Sequence, residues 1–207
     1  MIKCLIFDFG NVLLTLDEEK TNNSFREILD PQRCEDIQEI VFDPFERGEI
    51  SEEAFFNRLQ RRSKEVLSGD IYVDIWNSML GHFPDNRIQS LISLRTKYKI
   101  LLLSNTNITH IRTVKRRIKR ENGLDDFEKK LFDNAYFSHE IHMRKPEERI
   151  YKYVLEKENL IPHECLFIDD KIENCDSAMQ CGIHAYHHNP KEEIFDLLDN
   201  LIDIKNG

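Results

Sequence analysis

No stretch of this chain is apolar for long enough to cross a bilayer, and the basic leader of a secretory signal is missing from its start. Both absences lead us to expect a cytoplasmic protein. No two cysteines are spaced as CxxC, and their total of five (Cys4, Cys34, Cys165, Cys175, Cys181) is odd. Neither a zinc site nor a disulfide framework follows from that pattern, and the thiols read as reduced and mostly buried. Positive charge is also short: Lys plus Arg is 29 against 38 for Asp plus Glu, a formal net charge of -9 that argues against nonspecific nucleic-acid binding. The chain has no internal repeat and no low-complexity tract. What is present suits a packed core, since 40% of its 207 residues are hydrophobic and 32% charged. That length fits one large domain, or a domain carrying a smaller insertion.

The run Lys3-Cys4-Leu5-Ile6-Phe7 is apolar up to Asp8, and Phe9-Gly10-Asn11 follows before apolar residues resume. It predicts a buried strand delivering Asp8 to its carboxyl end, where open parallel sheets bind their ligands. By itself the stretch allows two readings: a carboxylate that is a nucleophile or metal ligand, or an ordinary Asp-Gly-Asn turn.

Residues 17–85 change character and read as helical. Ile37, Ile40 and Val41 fall on one helical face, and Phe55, Phe56 and Leu59 do the same after Ser51. Ser51 suits an N-cap with Glu52 and Glu53 in the first turn, and Gly48 marks a break before it. A third helical pattern near residues 71–80 holds the single tryptophan, Trp76. The segment reads as a small helical module inserted after the first strand.

From about residue 87 strands alternate with helices. Helices are expected at 88–97, 109–120 and 147–158, and strands at 99–103, 135–137, 165–168 and 183–186. This alternation predicts an α/β fold with a parallel sheet covered by helices on both faces. The basic run Arg112, Lys115, Arg116, Arg117, Lys119 and Arg120 lies on the polar face of an amphipathic helix and reads as a solvated face. The eight histidines show no metal-ligand spacing, and His187-His188 reads as surface loop.

Three further strand ends carry polar residues that answer Asp8. One delivers Ser104 and Asn105, a hydroxyl and backbone N–H groups suited to phosphate oxygens. The loop Met143-Arg144-Lys145-Pro146 precedes a helix, with Pro146 suited to its first turn and Lys145 able to supply a fixed positive charge. A third strand delivers Asp169-Asp170, with Asn174 close behind, and adjacent acids near Asp8 suggest oxygen ligands for Mg²⁺. Each piece alone is an ordinary turn; their common placement at strand ends is what carries the reading.

In this order the motifs resemble the haloacid dehalogenase-like hydrolases: Asp8-Phe9-Gly10-Asn11-Val12, then Ser104-Asn105, Lys145, and Asp169-Asp170 with Asn174. The resemblance runs from residue 2 to about 186. Phe45-Glu46-Arg47-Gly48-Glu49-Ile50-Ser51, Leu103-Ser104-Asn105-Thr106-Asn107 and Met143-Arg144-Lys145-Pro146-Glu147 are most similar to the bacterial α-D-glucose-1-phosphate phosphatase type. The resemblance implies a Rossmann-like core of residues 1–16 and 86–207 and an α-helical cap of residues 17–85. It further implies a Mg²⁺-dependent phosphatase of small phosphorylated metabolites, working through an aspartyl-phosphate; from the charge balance and the lack of a long apolar run we expect no nucleic-acid or membrane partner, with monomer and homodimer both open.

On that resemblance Asp8 is the nucleophile. Mg²⁺ is held by Asp8, the Gly10 carbonyl and Asp170, with Asp169 reaching it through water. Ser104, Asn105 and Lys145 hold the phosphoryl oxygens, and Asn174 orients the acids or Lys145. The chain departs from the commonest phosphatases of the family at Gly10, where they carry a second aspartate as general acid and base. A cap residue such as Glu46, a water or the substrate itself must then supply the proton. Two alternatives stand beside the phosphatase: dehalogenation of a haloacid, and a catalytically weak phosphate-binding or regulatory module. Arg47 reads as a surface ion pair rather than a substrate contact.

Overall fold

A computed structural model describes residues 1–206 of the chain. Among these residues, β1 (Cys4–Phe7), β2 (Lys99–Ser104), β3 (Asn134–Phe137), β4 (Cys165–Asp169) and β5 (His184–His187) form one sheet. All neighbours pair in parallel, in the order β3-β2-β1-β4-β5. The chain leaves β1 toward β2 and β3, then returns to β1's other edge with β4 and β5. That reversal opens a crevice at the carboxyl ends of β1 and its neighbours.

Alternation along the strands explains why both faces are covered. Leu5, Phe7, Ile100, Leu102, Leu166 and Ile168 join one buried cluster, while Cys4, Ile6, Leu101, Leu103, Cys165 and Phe167 join another. The first face is closed by α5 (Asp85–Leu94), α6 (Ile108–Asn122), α7 (Phe127–Leu131) and α11 (Ile194–Asn206), the second by α9 (Glu148–Glu158) and α10 (Ile172–Gln180). A single turn, α8 (Ser138–Ile141), follows β3. None of the described helices is long and apolar enough to cross a membrane.

Between β1 and α5 lie α1 (Glu18–Ile28), α2 (Asp43–Glu46), α3 (Glu52–Gln60) and α4 (Gly69–Asn77), which share a core of their own. Phe25, Phe45, Phe55 and Trp76 meet at its centre, with Phe45 stacked on Phe55 at 4.0 Å between ring centroids. Ser51 caps α3 as expected, its Oγ accepting from the Ala54 N–H at 3.1 Å. The two crossings into this segment lie side by side: Thr15 accepts from the Gly81 N–H at 2.8 Å and donates to the His82 carbonyl at 3.0 Å. A Cβ on Gly81 would come within 2.6 Å of the Thr15 carbonyl oxygen, so this close approach requires glycine.

Several local expectations are corrected. Ile37, Ile40 and Val41 do not share a buried face, because Gln38–Phe42 forms a π-helical turn; the wider turn buries Val41 and leaves Ile40 40% exposed. Pro146 stands outside the helix it was expected to open, since α9 begins at Glu148 with Glu147 before it. His188 is fully buried rather than in a surface loop, while His187 ends β5 exposed. The helix after β4, α10, and the terminal α11 went unread in the sequence.

Candidate active site

Three neighbouring strands end at one point. β1 runs out at Phe7, placing Asp8 in the crevice with its N–H bonded to the Ile168 carbonyl at 2.9 Å; β2 ends on Ser104 and β4 on Asp169. Lys145 reaches the same point from the loop before α9, and its ammonium is 1% exposed. It donates to Asp8 Oδ1 at 2.6 Å, to Asp169 Oδ2 at 2.6 Å and to the Leu103 carbonyl at 2.8 Å. Those three bonds engage every proton an ammonium has.

Asn105 builds the loop that allows this reach. Its side-chain amide donates to the Lys145 carbonyl and accepts from the Lys145 N–H, both at 2.8 Å. Asp169 is closed from the other side: Oδ1 accepts from the Lys171 N–H at 2.8 Å and from Asn174 Nδ2 at 2.9 Å. Asn174 itself is fixed by Tyr151, whose hydroxyl donates to its carbonyl at 2.9 Å. Ser104 is buried beside them, and its hydroxyl makes no hydrogen bond among the described residues while facing the cleft.

One oxygen each from Asp8, Asp169 and Asp170 lie within 4.8 Å of one another. Three carboxylates around a single ammonium are more negative charge than it can neutralise. Burial, with the repulsion of Asp169 and Asp170, outweighs Lys145 and pushes Asp8 up to about 7. Asp170 is raised as well, chiefly by burial. The same surplus marks a cation site, and its free donors are hard oxygens. Asp170 uses Oδ2 to accept from Asn11 Nδ2 at 3.0 Å, Asp8 uses only Oδ1, and Gly10 lines the cleft beside them. Asp169 is fully buried with both oxygens engaged and does not line the cleft. This set fits Mg²⁺, which takes one or two carboxylates and keeps several waters.

The cleft above the acids encloses about 240 Å³ and is walled on the far side by the inserted helices. Glu18, Asn22, Gln38 and Glu46 supply its polar residues from that side, Arg144 and Lys171 from the core, and Leu16, Phe25, Phe42 and Trp76 its apolar ones. The wall is tied down at several points. Arg144 bridges Asp43 at 3.2 Å and Glu46 at 2.9 Å; Arg47 pairs with Glu147 at 2.8 Å, so it holds the segment to the core and does not line the cleft. Glu52 pairs with Arg112 and accepts from Thr109. Of the basic run on α6, Lys115 pairs with Glu128 and Lys119 with Asp125 at the surface, whereas Arg117 departs from the expected solvated face by turning inward to donate to the Leu80 carbonyl.

The sequence from residue 2 to 182 matches the model of the haloacid dehalogenase-like hydrolases. The chain belongs to this family. Among curated proteins it is 25% identical to the D-ribitol-5-phosphate phosphatase of Bacteroides thetaiotaomicron, over 90% of this chain and 91% of that one. It is 28% identical to a sesquiterpene phosphatase of Aspergillus oryzae, over 89% of both chains. A solved family enzyme from Bacteroides thetaiotaomicron superposes with a TM-score of 0.87 at 31% identity, covering 95% of this chain and 98% of that one. The same enzyme has been solved with magnesium and inorganic phosphate, as the wild type and as a single-substitution variant. A 2-haloacid dehalogenase of Pseudomonas syringae, 14% identical at a TM-score of 0.62, shares the fold alone.

Within this family frame, Asp8, Gly10, Ser104, Asn105, Lys145, Asp170 and Asn174, all singled out in the sequence, line one cleft, and Asp169 lies buried against Lys145. Sequence reasoning missed Asn11, which adopts a left-handed backbone (φ 58) and turns its amide onto Asp170. The clue was available, since Asn after Gly is a residue that tolerates this conformation. It also missed Lys171, and the Trp76–Asn107–His110 group that joins α4 to α6. Trp76 Nε1 donates to Asn107 Oδ1 at 3.2 Å, and His110 Nε2 donates to the Trp76 carbonyl at 2.9 Å.

Proposed function

We propose that the chain is a Mg²⁺-dependent phosphatase of small, hydroxyl-bearing phosphorylated metabolites such as sugar or polyol phosphates. The observation that carries this reading is the buried Asp8, with one oxygen on Lys145 and the other free, beside the oxygens of Asp170 and the unbonded hydroxyl of Ser104. Asp8 Oδ2 attacks phosphorus, forming an aspartyl-phosphate that water then hydrolyses. Asp8, through the Oδ1 that also accepts from Lys145, the Gly10 carbonyl and Asp170 would hold Mg²⁺, which would supply positive charge to offset repulsion between the phosphate and the carboxylates. Ser104 and the Asn105 N–H take phosphoryl oxygens. Lys145 keeps Asp8 oriented and joins the phosphoryl group only by sharing one of its three protons. The helical segment acts as the cap, its aromatic wall facing the carbon skeleton and its Asn22 and Gln38, with Arg144 from the core, facing hydroxyls.

Support for a hydroxylated substrate comes from that mixed lining and from the pentitol-phosphate phosphatase among the relatives. A screen of phosphorylated metabolites, including D-ribitol 5-phosphate and glucose 1-phosphate, with and without Mg²⁺, tests the reading. Phosphate release that requires Mg²⁺ is expected. Turnover of haloacids insensitive to a chelator, with no phosphate released from any ester, would overturn it.

A further inference from the structure

Breaking a phosphate ester of an alcohol needs a proton for the leaving oxygen, and this site lacks the usual source. Position 10 carries no acid, and a Cβ there would stand 2.5 Å from Leu16 Cδ1, the far end of a flexible side chain that would have to shift to admit one. The donor therefore has to come from another wall of the cleft. Apart from the acids around Lys145, the titratable groups lining it are Glu18, Glu46, His110, Arg144 and Lys171.

His110 is ruled out by its bonds. Nε2 donates to the Trp76 carbonyl, Nδ1 accepts from Asn107 Nδ2 at 3.2 Å, and the ring lies against Trp76. Burial lowers it to about 4, so it stays neutral with no free proton. Arg144 does not give up a proton. Lys171 is a cation between Glu18 and the acid cluster, and the Glu18 side chain is 47% exposed at the rim.

Glu46 differs from all of these. Its side chain is 21% exposed, and both Arg144 bonds go to one oxygen, Oε2, at 2.9 and 3.2 Å. Oε1 has no hydrogen-bond partner among the described residues. Arg144 also serves Asp43, so one guanidinium faces two carboxylates and cannot fully neutralise either. Arg144 from the loop before α9, Asp43 from α2 and Lys171 before α10 are the charged groups facing Glu46; burial outweighs them and raises its pKa.

We propose that Glu46 is the general acid and base of this phosphatase, in place of the aspartate absent at Gly10. The proposal rests on the phosphatase reading above. In the first step Asp8 Oδ2 forms a bond to phosphorus, the bond from phosphorus to the ester oxygen breaks, and Glu46 passes its proton to that oxygen, releasing the alcohol. In the second, water attacks the aspartyl-phosphate and yields a proton to the Glu46 carboxylate. The bond from phosphorus to Asp8 breaks, and inorganic phosphate leaves.

The test compares wild type with Glu46→Gln on the sugar or polyol phosphate that the wild type hydrolyses fastest, and on p-nitrophenyl phosphate. Nitrophenolate needs no proton to leave. The variant should lose about 10²–10⁴-fold on the alkyl phosphate. On the aryl phosphate it should keep a fast burst of about one nitrophenolate per enzyme, then turn over slowly as the aspartyl-phosphate waits for a base. The fall of the wild-type kcat/KM at high pH should vanish in the variant. Equal losses on both substrates, or none, would overturn the assignment while leaving the phosphatase reading intact. Absence of any wild-type phosphatase activity would instead overturn that reading. If Glu46→Gln does not fold, the wild-type burst rate across a series of leaving groups decides: a shallow dependence on leaving-group pKa is expected, and a steep one contradicts the proposal.

Discussion

The Lys145 ammonium stands 2.6 Å from Asp8 Oδ1, with both groups buried. Lys145 also holds Asp169 at 2.6 Å, so one cation fixes the ends of β1 and β4 relative to each other. In the proposed reaction the pair is therefore structural and catalytic together: the contact that keeps two like charges side by side also engages one oxygen of Asp8 and leaves the other unbonded.

Lys145→Met removes the ammonium bonded to both Asp8 and Asp169 and leaves these carboxylates and the Leu103 carbonyl facing an apolar chain. Breaking a buried pair in this way costs about 3–5 kcal/mol. For a chain of this length that is a fall in melting temperature on the order of 10 °C at neutral pH. The deficit should shrink on acidification, as the abandoned carboxylates take up protons. Calorimetry at two pH values measures it, and an unchanged melting temperature would contradict the account.

Stability of the metal-free protein should depend on pH in a particular direction. Asp8 is raised from its ordinary 3.8 to about 7. The folded state thus holds a proton there more tightly than the unfolded chain. Its contribution is fully present below about pH 4 and is lost as pH rises through about 7. With a chelator present, this group makes the melting temperature fall across that window, and saturating Mg²⁺ should reverse the fall. Mg²⁺ at 100 times its dissociation constant adds about 2.7 kcal/mol. Thermal melts at fixed ionic strength with and without Mg²⁺ check both statements.

An aspartate at Gly10 must displace the end of the Leu16 side chain, whose Cδ1 stands 2.5 Å from where its Cβ would go. Gly10→Asp alone is expected to lower stability by about 1–3 kcal/mol through overpacking. Paired with Leu16→Ala, it gains room and should recover part of that loss. A melt series over the two single variants and the double measures the coupling. Additive effects would show that Leu16 does not fill this space.

The three central strands were legible in the sequence because each is an apolar run followed by a polar residue, and buried parallel strands leave that trace. The helical nature of the insertion was legible too, as was the Ser51 cap. What escaped depends on shape rather than on period. The π-helical turn at Gln38–Phe42 shifts the face that Ile40 and Val41 present, and no periodicity of 3.6 reveals it. Asn11 and Lys171 each directly follow a residue singled out in the sequence, but the left-handed backbone that turns the Asn11 amide onto Asp170 and the cleft position of Lys171 are set by the folded chain. His188 looked like loop because its partner His187 is exposed, yet the chain turns inward after β5.

The central claim is that Asp8 becomes covalently phosphorylated. The most direct measurement is mass spectrometry of acid-quenched enzyme, mixed for milliseconds with Mg²⁺ and p-nitrophenyl phosphate, in wild type and Asp8→Asn. The account predicts one added phosphoryl group on the peptide carrying Asp8 in the wild type, none in the variant, and a loss of turnover in the variant on the order of 10³-fold or more. Wild-type turnover in Asp8→Asn, or a phosphoryl group on a different peptide, would contradict it.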